Sequence, residues 1–180
     1  MRRGIFALRE GSSLLILSVD TSGNTASAAV VQDETLLGYR MLYTARAHSQ
    51  ILLPTVKSLL TDTGHTVQDV DLFAAANGPG SYTGLRIGIA AMQALAFAGE
   101  KQCAAISTLE GLAWNLSARS GVICACLHAR LDLCYCALFE SDGQTVTRLT
   151  EDAVLPAAEI AAQLHAYDLS QLPCSRLSSS

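Results

Sequence analysis

The chain has 180 residues, half of them hydrophobic, and a formal net charge of −4 from 12 Lys and Arg against 16 Asp and Glu. Such a length buries one substantial core or two small linked lobes. So few cations and no basic run beyond Arg2-Arg3 argue against direct electrostatic capture of nucleic acid. Six cysteines without a credible export signal predict reduced thiols in a cytoplasmic protein, not a disulfide framework.

Residues 1 to 13 read as an N-terminal extension the fold does not need. Arg9 and Glu10 interrupt any secretory pattern, and the apolar run from Leu14 stops at Asp20, too short to span a membrane. Strand signals then follow closely at Leu14 to Val19, Ala26 to Val31 and Thr35 to Tyr43. The turns Ser22-Gly23-Asn24 and Gln32-Asp33-Glu34 between them predict an antiparallel meander. From Ile51 to Asp62, Leu52, Val56, Leu59 and Leu60 recur at helical spacing, with Pro54 near the start and Gly64 past the end. A buried strand from Leu72 to Ala76, a glycine-rich turn, a helix from Leu85 to Ala98 and a strand from Ala104 to Ile106 make a β-α-β unit. Ser107 with Glu110 is a capping-box pattern opening a third helix through Leu116. A second set of strands comes next, at Val122 to Leu127, Leu133 to Glu140 and Thr145 to Leu149, and then one short helix near Ala157 to Leu164. The order predicts an α/β fold, a mixed sheet with covering helices, in two lobes at 14–118 and 119–180, the second incomplete.

The turn Gly78-Pro79-Gly80-Ser81-Tyr82-Thr83-Gly84 holds the densest signal. A helix opening there directs free N–H groups and the positive end of the dipole at whatever lies above it, so an anion could rest on it. No Lys-Ser or Lys-Thr follows the last glycine, which removes a Walker A phosphate loop. The other reading, a tight structural crossover whose glycines allow positive φ or close packing, is at least as strong. Ser81, Thr83, Ser107 and Thr108 carry hydroxyls but have no histidine near them in sequence to act as a base, and helix capping explains them better. On the helix itself, Gly84, Gly88 and Ala91 share one stripe, and Ala90, Ala94 and Ala98 an adjoining one. Either stripe would let another backbone approach closely, and packing on the chain's own sheet explains them as well.

Taken in order, Leu14 to Ser22, His48 to Pro54, Gly78 to Gly88, Ile106 to Ala113 and Ala129-Arg130 with Tyr135 resemble the TsaB (YeaZ) family. The resemblance implies a two-lobed member of the ribonuclease-H-like, actin-like ATPase superfamily. Its implied role is a non-catalytic partner subunit in making threonylcarbamoyladenosine on transfer RNA. It implies no cofactor of its own, with ATP and a metal ion held in the partner subunits. Those partners would be a TsaD-like catalytic transferase and a TsaE-like ATPase, with a homodimer when the chain is alone and transfer RNA reached only through the complex. The family's helical-bundle interface maps onto the first two helices, here His48, Leu52, Val56, Leu59, Gly84, Gly88, Ala91 and Leu95. Asp20 and Thr21 fall where actin-like ATPases place a phosphate-loop carboxylate. Here they read as a vestige that bonds the N–H groups of its own turn. The chain departs from the family at His128-Ala129-Arg130 and Leu133, where acidic residues are usual.

The alternative is an active enzyme, an actin-like ATPase or kinase or a glycoprotease-like peptidase. The phosphate hairpin is reduced to Ser22-Gly23-Asn24-Thr25, and His48, His65, His128 and His165 include no pair at metal-binding helical spacing. Both features argue against that alternative. Cys124-Ala125-Cys126 and Cys134-Tyr135-Cys136 could gather thiolates on one strand face. Their spacing is unlike common zinc ribbons, and the favoured reading makes them core positions of two strands.

Overall fold

The computed structural model describes residues 13–43 and 48–171, and its contacts divide the chain into two compact units, the first ending at Ile106 and the second starting at Ser107. Nearly all of the N-terminal extension and the last residues of the chain lie outside the described residues.

Unit one is a five-stranded mixed sheet in the order β3-β2-β1-β4-β5. The meander forms as predicted from β1 (Leu15–Asp20), β2 (Thr25–Gln32) and β3 (Thr35–Tyr43), with both pairings antiparallel. β4 (Leu72–Gly78) lies parallel to β1, and β5 (Gln102–Ser107) is its other neighbour. Alternation decides which side chains go inside: Leu15, Leu17 and Val19 of β1, Ala28 and Val30 of β2, and Phe73 and Ala75 of β4 share one buried cluster. Two helices cover that face. α1 (His48–Asp62) contributes Leu52, Val56, Leu59 and Leu60, and α2 (Tyr82–Ala98) contributes Met92 and Ala96. Pro54 lies inside α1, which starts at His48 and not near Ile51 as the sequence suggests, so the helix forgoes the bond that residue 54 would make to the Gln50 carbonyl.

Within this unit both covering helices, α1 and α2, pack on the same face of the sheet. Ala29 points away from that cluster, and its cross-strand partner is Tyr39. Tyr39, Met41 and Tyr43 therefore stand on the other side of the sheet, 53%, 58% and 80% exposed.

Unit two opens with α3 (Thr108–Trp114), followed by β6 (Gly121–Arg130), β7 (Leu133–Ser141), β8 (Val146–Arg148), β9 (Ala153–Pro156) and α4 (Ala157–Gln171). β7 is the central strand, antiparallel to β6 along one side and to β8 and β9 along the other. Leu109 and Ala113 of α3 bury against Ile123, Ala125, Ala137 and Phe139. The sequence placed α3 with the first lobe, which it ended at residue 118; the helix makes its core with β6 and β7 instead, so the division falls before it. β9 was not predicted. It spans four residues and ends on Pro156, which has no N–H for a ladder, and Glu151-Asp152 precede it. With β9 and a 15-residue α4, this unit holds more structure than the predicted remnant. The turn after β7 is an Asx turn. Asp142 Oδ1 accepts from Thr145 N at 2.7 Å and Gln144 N at 2.8 Å, bonds that hold its carboxyl below the usual range.

Candidate functional site at the glycine-rich turn

Gly78 to Gly84 carries the chain from β4 into α2 and packs on Thr21 and Ser22, which follow β1. The Gly78-Pro79 bond is cis, and Gly78 has φ +116°. Ser81 N donates to the Ser22 carbonyl at 2.6 Å. Ser81 is also the N-cap of α2, its Oγ accepting from Gly84 N at 3.2 Å. A Cβ on Gly80 would lie 2.5 Å from the Ser22 carbonyl oxygen, and one on Gly84 would run into the Thr21 carbonyl. One turn further, a Cβ on Gly88 would lie 2.5 Å from Thr21 Oγ1. The Gly-x3-Gly-x3-Gly spacing of Gly80, Gly84 and Gly88 thus lets the α2 backbone lie directly on Thr21 and Ser22.

The two residues read as a phosphate-loop vestige behave differently from each other. Asp20 makes the expected turn bond, Oδ1 accepting from Ser22 N at 2.7 Å. Thr21 does not bond a following N–H: it is 1% exposed, and its hydroxyl donates to the Gly84 carbonyl at 2.7 Å. The chain's own Thr21 and Ser22 fill the space against the three glycines, so at this contact the turn does not form a cradle for an anion. Asp20 keeps a partly exposed carboxylate at its rim. Thr83 is exposed, and Thr108 has a buried hydroxyl without a partner. Ser107 caps α3, its Oγ accepting from Glu110 N at 3.3 Å. Sequence reasoning missed its second partner, Arg148, which lies 41 residues away, donates to the same Oγ at 2.8 Å and stacks over the Phe139 ring.

The residues proposed as a partner interface separate by burial. Leu52, Val56 and Leu59 are 1%, 2% and 3% exposed inside the unit-one core, and Gly84 and Gly88 are buried against Thr21. These five therefore lie within the chain's own packing, the three leucine and valine side chains under the sheet and the two glycines against Thr21. Ala91 and Leu95 are half-buried at the margin of the same core. His48 is the first residue of α1, and its Nε2 lies 3.0 Å from the Gly23 carbonyl. The outward face carries other residues: Leu53 on α1 is 49% exposed and Phe97 on α2 is 86% exposed, and the adjoining stripe Ala90, Ala94 and Ala98 is free. Beside Leu53 an apolar groove of about 430 Å³ runs past Val56, Leu60, Val67 and Leu95. No helix of the described residues is long and apolar enough to cross a membrane, and among those residues no cluster of three or more His, Cys, Asp or Glu could hold a metal ion.

The chain matches a family model described as "TsaD: tRNA N6-adenosine threonylcarbamoyltransferase" over residues 42–173. It is 33% identical over 139 residues to the tRNA threonylcarbamoyladenosine biosynthesis protein TsaB of Bacillus subtilis, covering 77% of this chain and 61% of that one. With the Escherichia coli protein of the same description the identity is 35% over 147 residues, covering 81% and 63%. Among solved structures, YeaZ from Pseudomonas aeruginosa superposes with a TM-score of 0.72 at 32% identity, covering 79% of this chain and 68% of that one. The chain therefore spans a little over three fifths of the length of the curated relatives it matches.

Proposed function

Because the chain belongs to the TsaB (YeaZ) family, we propose that it is a non-catalytic partner subunit in the synthesis of threonylcarbamoyladenosine on transfer RNA. It acts by docking to a TsaD-like transferase, in an assembly that a TsaE-like ATPase joins. ATP and a metal ion belong to those partners, transfer RNA is met only through the complex, and the setting is cytoplasmic. Alone, the chain pairs with itself.

One observation supports the non-catalytic reading above the others: Thr21 and Ser22 are packed into the glycine-rich turn that would otherwise be free to receive a phosphate. Low cationic content supports indirect contact with transfer RNA, since the sequence has no basic run beyond Arg2-Arg3 to neutralise a phosphate backbone. The exposed side of α1 and α2, with Leu53, Phe97 and the free alanine stripe, supports docking there.

The test has two arms. The purified chain is expected to co-elute with a TsaD-like transferase on size exclusion, and failure to do so removes the partner reading. The isolated chain is expected to release no phosphate from ATP with magnesium, manganese or zinc added in turn. Turnover that Asp20→Ala abolishes would make the chain an ATPase in its own right.

A further inference from the structure

The face of the second sheet turned away from α3 carries Cys124, Cys126 and His128 on β6 and Cys134 and Cys136 on β7. Cys126 lies opposite Cys136, and His128 opposite Cys134. Ile123, Ala125 and Leu127 point the other way, into the core under α3. Burial grades the thiols: Cys126 is exposed, Cys124 and Cys134 are partly buried and Cys136 is buried. Cys124 Sγ and Cys126 Sγ are 3.3 Å apart, in contact. Among the described residues β6 is an edge strand, paired only with β7.

We propose that Cys124 and Cys126 are a reversible thiol-modification site that closes to an intrastrand disulfide through exchange with a low-molecular-weight disulfide. The reaction balances in two steps. The Cys126 thiolate attacks one sulfur of the external disulfide and releases one small thiolate, leaving a mixed disulfide. Cys124 then gives up its proton to solvent, and its thiolate attacks Cys126 Sγ and expels the second small thiolate. Overall, two protein thiols and one external disulfide become one protein disulfide and two small thiols.

Exposure assigns the roles. Cys126 is the sulfur an outside reagent can reach, and Cys124 is the neighbour already in contact with it. The Cys124 thiol is pushed up to about 12 by burial first, then by its hydrogen bond to Cys126 and the charges of Cys126 and Cys136. Once Cys126 is held in a mixed disulfide, its charge and its thiol hydrogen bond no longer act on Cys124. The closing step quickens as pH rises, because it waits on that proton. Residues two apart on a strand have Cα atoms ~6.6 Å apart, near the upper end of the disulfide range, so the closed ring strains the strand and is readily reduced. An edge strand can yield to it without breaking a second ladder. Cys136 is the rival partner by register, but the sulfur in contact with Cys126 Sγ is that of Cys124.

Trypsin separates the candidates, since Cys124 and Cys126 fall on the peptide Ser120 to Arg130, and Cys134 and Cys136 on Leu131 to Arg148. The full chain is incubated with oxidised glutathione, alkylated with iodoacetamide, digested and weighed. The expected product is the first peptide without alkylation and lighter by two hydrogens, restored to the alkylated form by dithiothreitol. Cys124→Ser should trap glutathione on Cys126, and Cys126→Ser should leave Cys124 fully alkylated with no glutathione. Complete alkylation of the wild-type peptide after oxidation overturns the proposal, and so does a link between the two peptides.

Discussion

Replacing Gly84 with alanine is expected to lower the melting temperature by about 10 °C, the consequence of ~2 kcal/mol in a domain of this size. The added methyl would enter the Thr21 carbonyl, and backbone on both sides leaves no rotamer by which to escape. Separation of the two segments would also break the bond from the Thr21 hydroxyl to the Gly84 carbonyl, leaving a hydroxyl that is 1% exposed without a partner. Gly111 is the contrast within the same chain. It lies in the middle of α3 with nothing within 4 Å of a built Cβ, so Gly111→Ala should stabilise by about 0.5–1 kcal/mol. Circular dichroism melts of the two variants read both signs. An unchanged midpoint for Gly84→Ala would show that α2 can lift from Thr21 without loss.

That contact marks the limit of what could be read from the residues. Local pattern gave the meander, since turn residues at Ser22-Gly23-Asn24 and Gln32-Asp33-Glu34 punctuate runs that alternate in and out. It also gave the caps at Ser81 and Ser107, because an N-cap bond reaches only three residues ahead. It could not show what the small residues of α2 touch. Gly84 lies 63 residues from Thr21, and the helical period that groups Gly84, Gly88 and Ala91 does not say whether sheet or partner lies against them. The same ambiguity covers α1. Leu52, Val56 and Leu59 mark an apolar face, and an apolar face is first of all a core face. Arg148 could not be found from its neighbours, since Ser107 and Phe139 reach it only through the fold of unit two.

The separation of core from surface on α1 yields the second large expected effect, in which neighbouring leucines fail in different ways. Leu52 is 1% exposed within the unit-one cluster, so Leu52→Ala should cost about 2–5 kcal/mol of stability by opening a cavity that Val56 and Phe73 cannot wholly fill. Association would be lost only as far as the fold is. Leu53 is 49% exposed at the mouth of the apolar groove, so Leu53→Asp should leave the melt within about 0.5 kcal/mol of wild type. If the outer side of α1 and α2 meets the transferase, that charge is desolvated on docking, and co-elution with the transferase should disappear while the fold persists. Ala94→Arg probes α2 independently, at an exposed position of the free alanine stripe. Folded variants at both positions that still co-elute would move the docking surface off these helices. A folded Leu53→Asp chain that no longer binds would put the interface one residue along from the core, on the side of α1 facing away from the sheet.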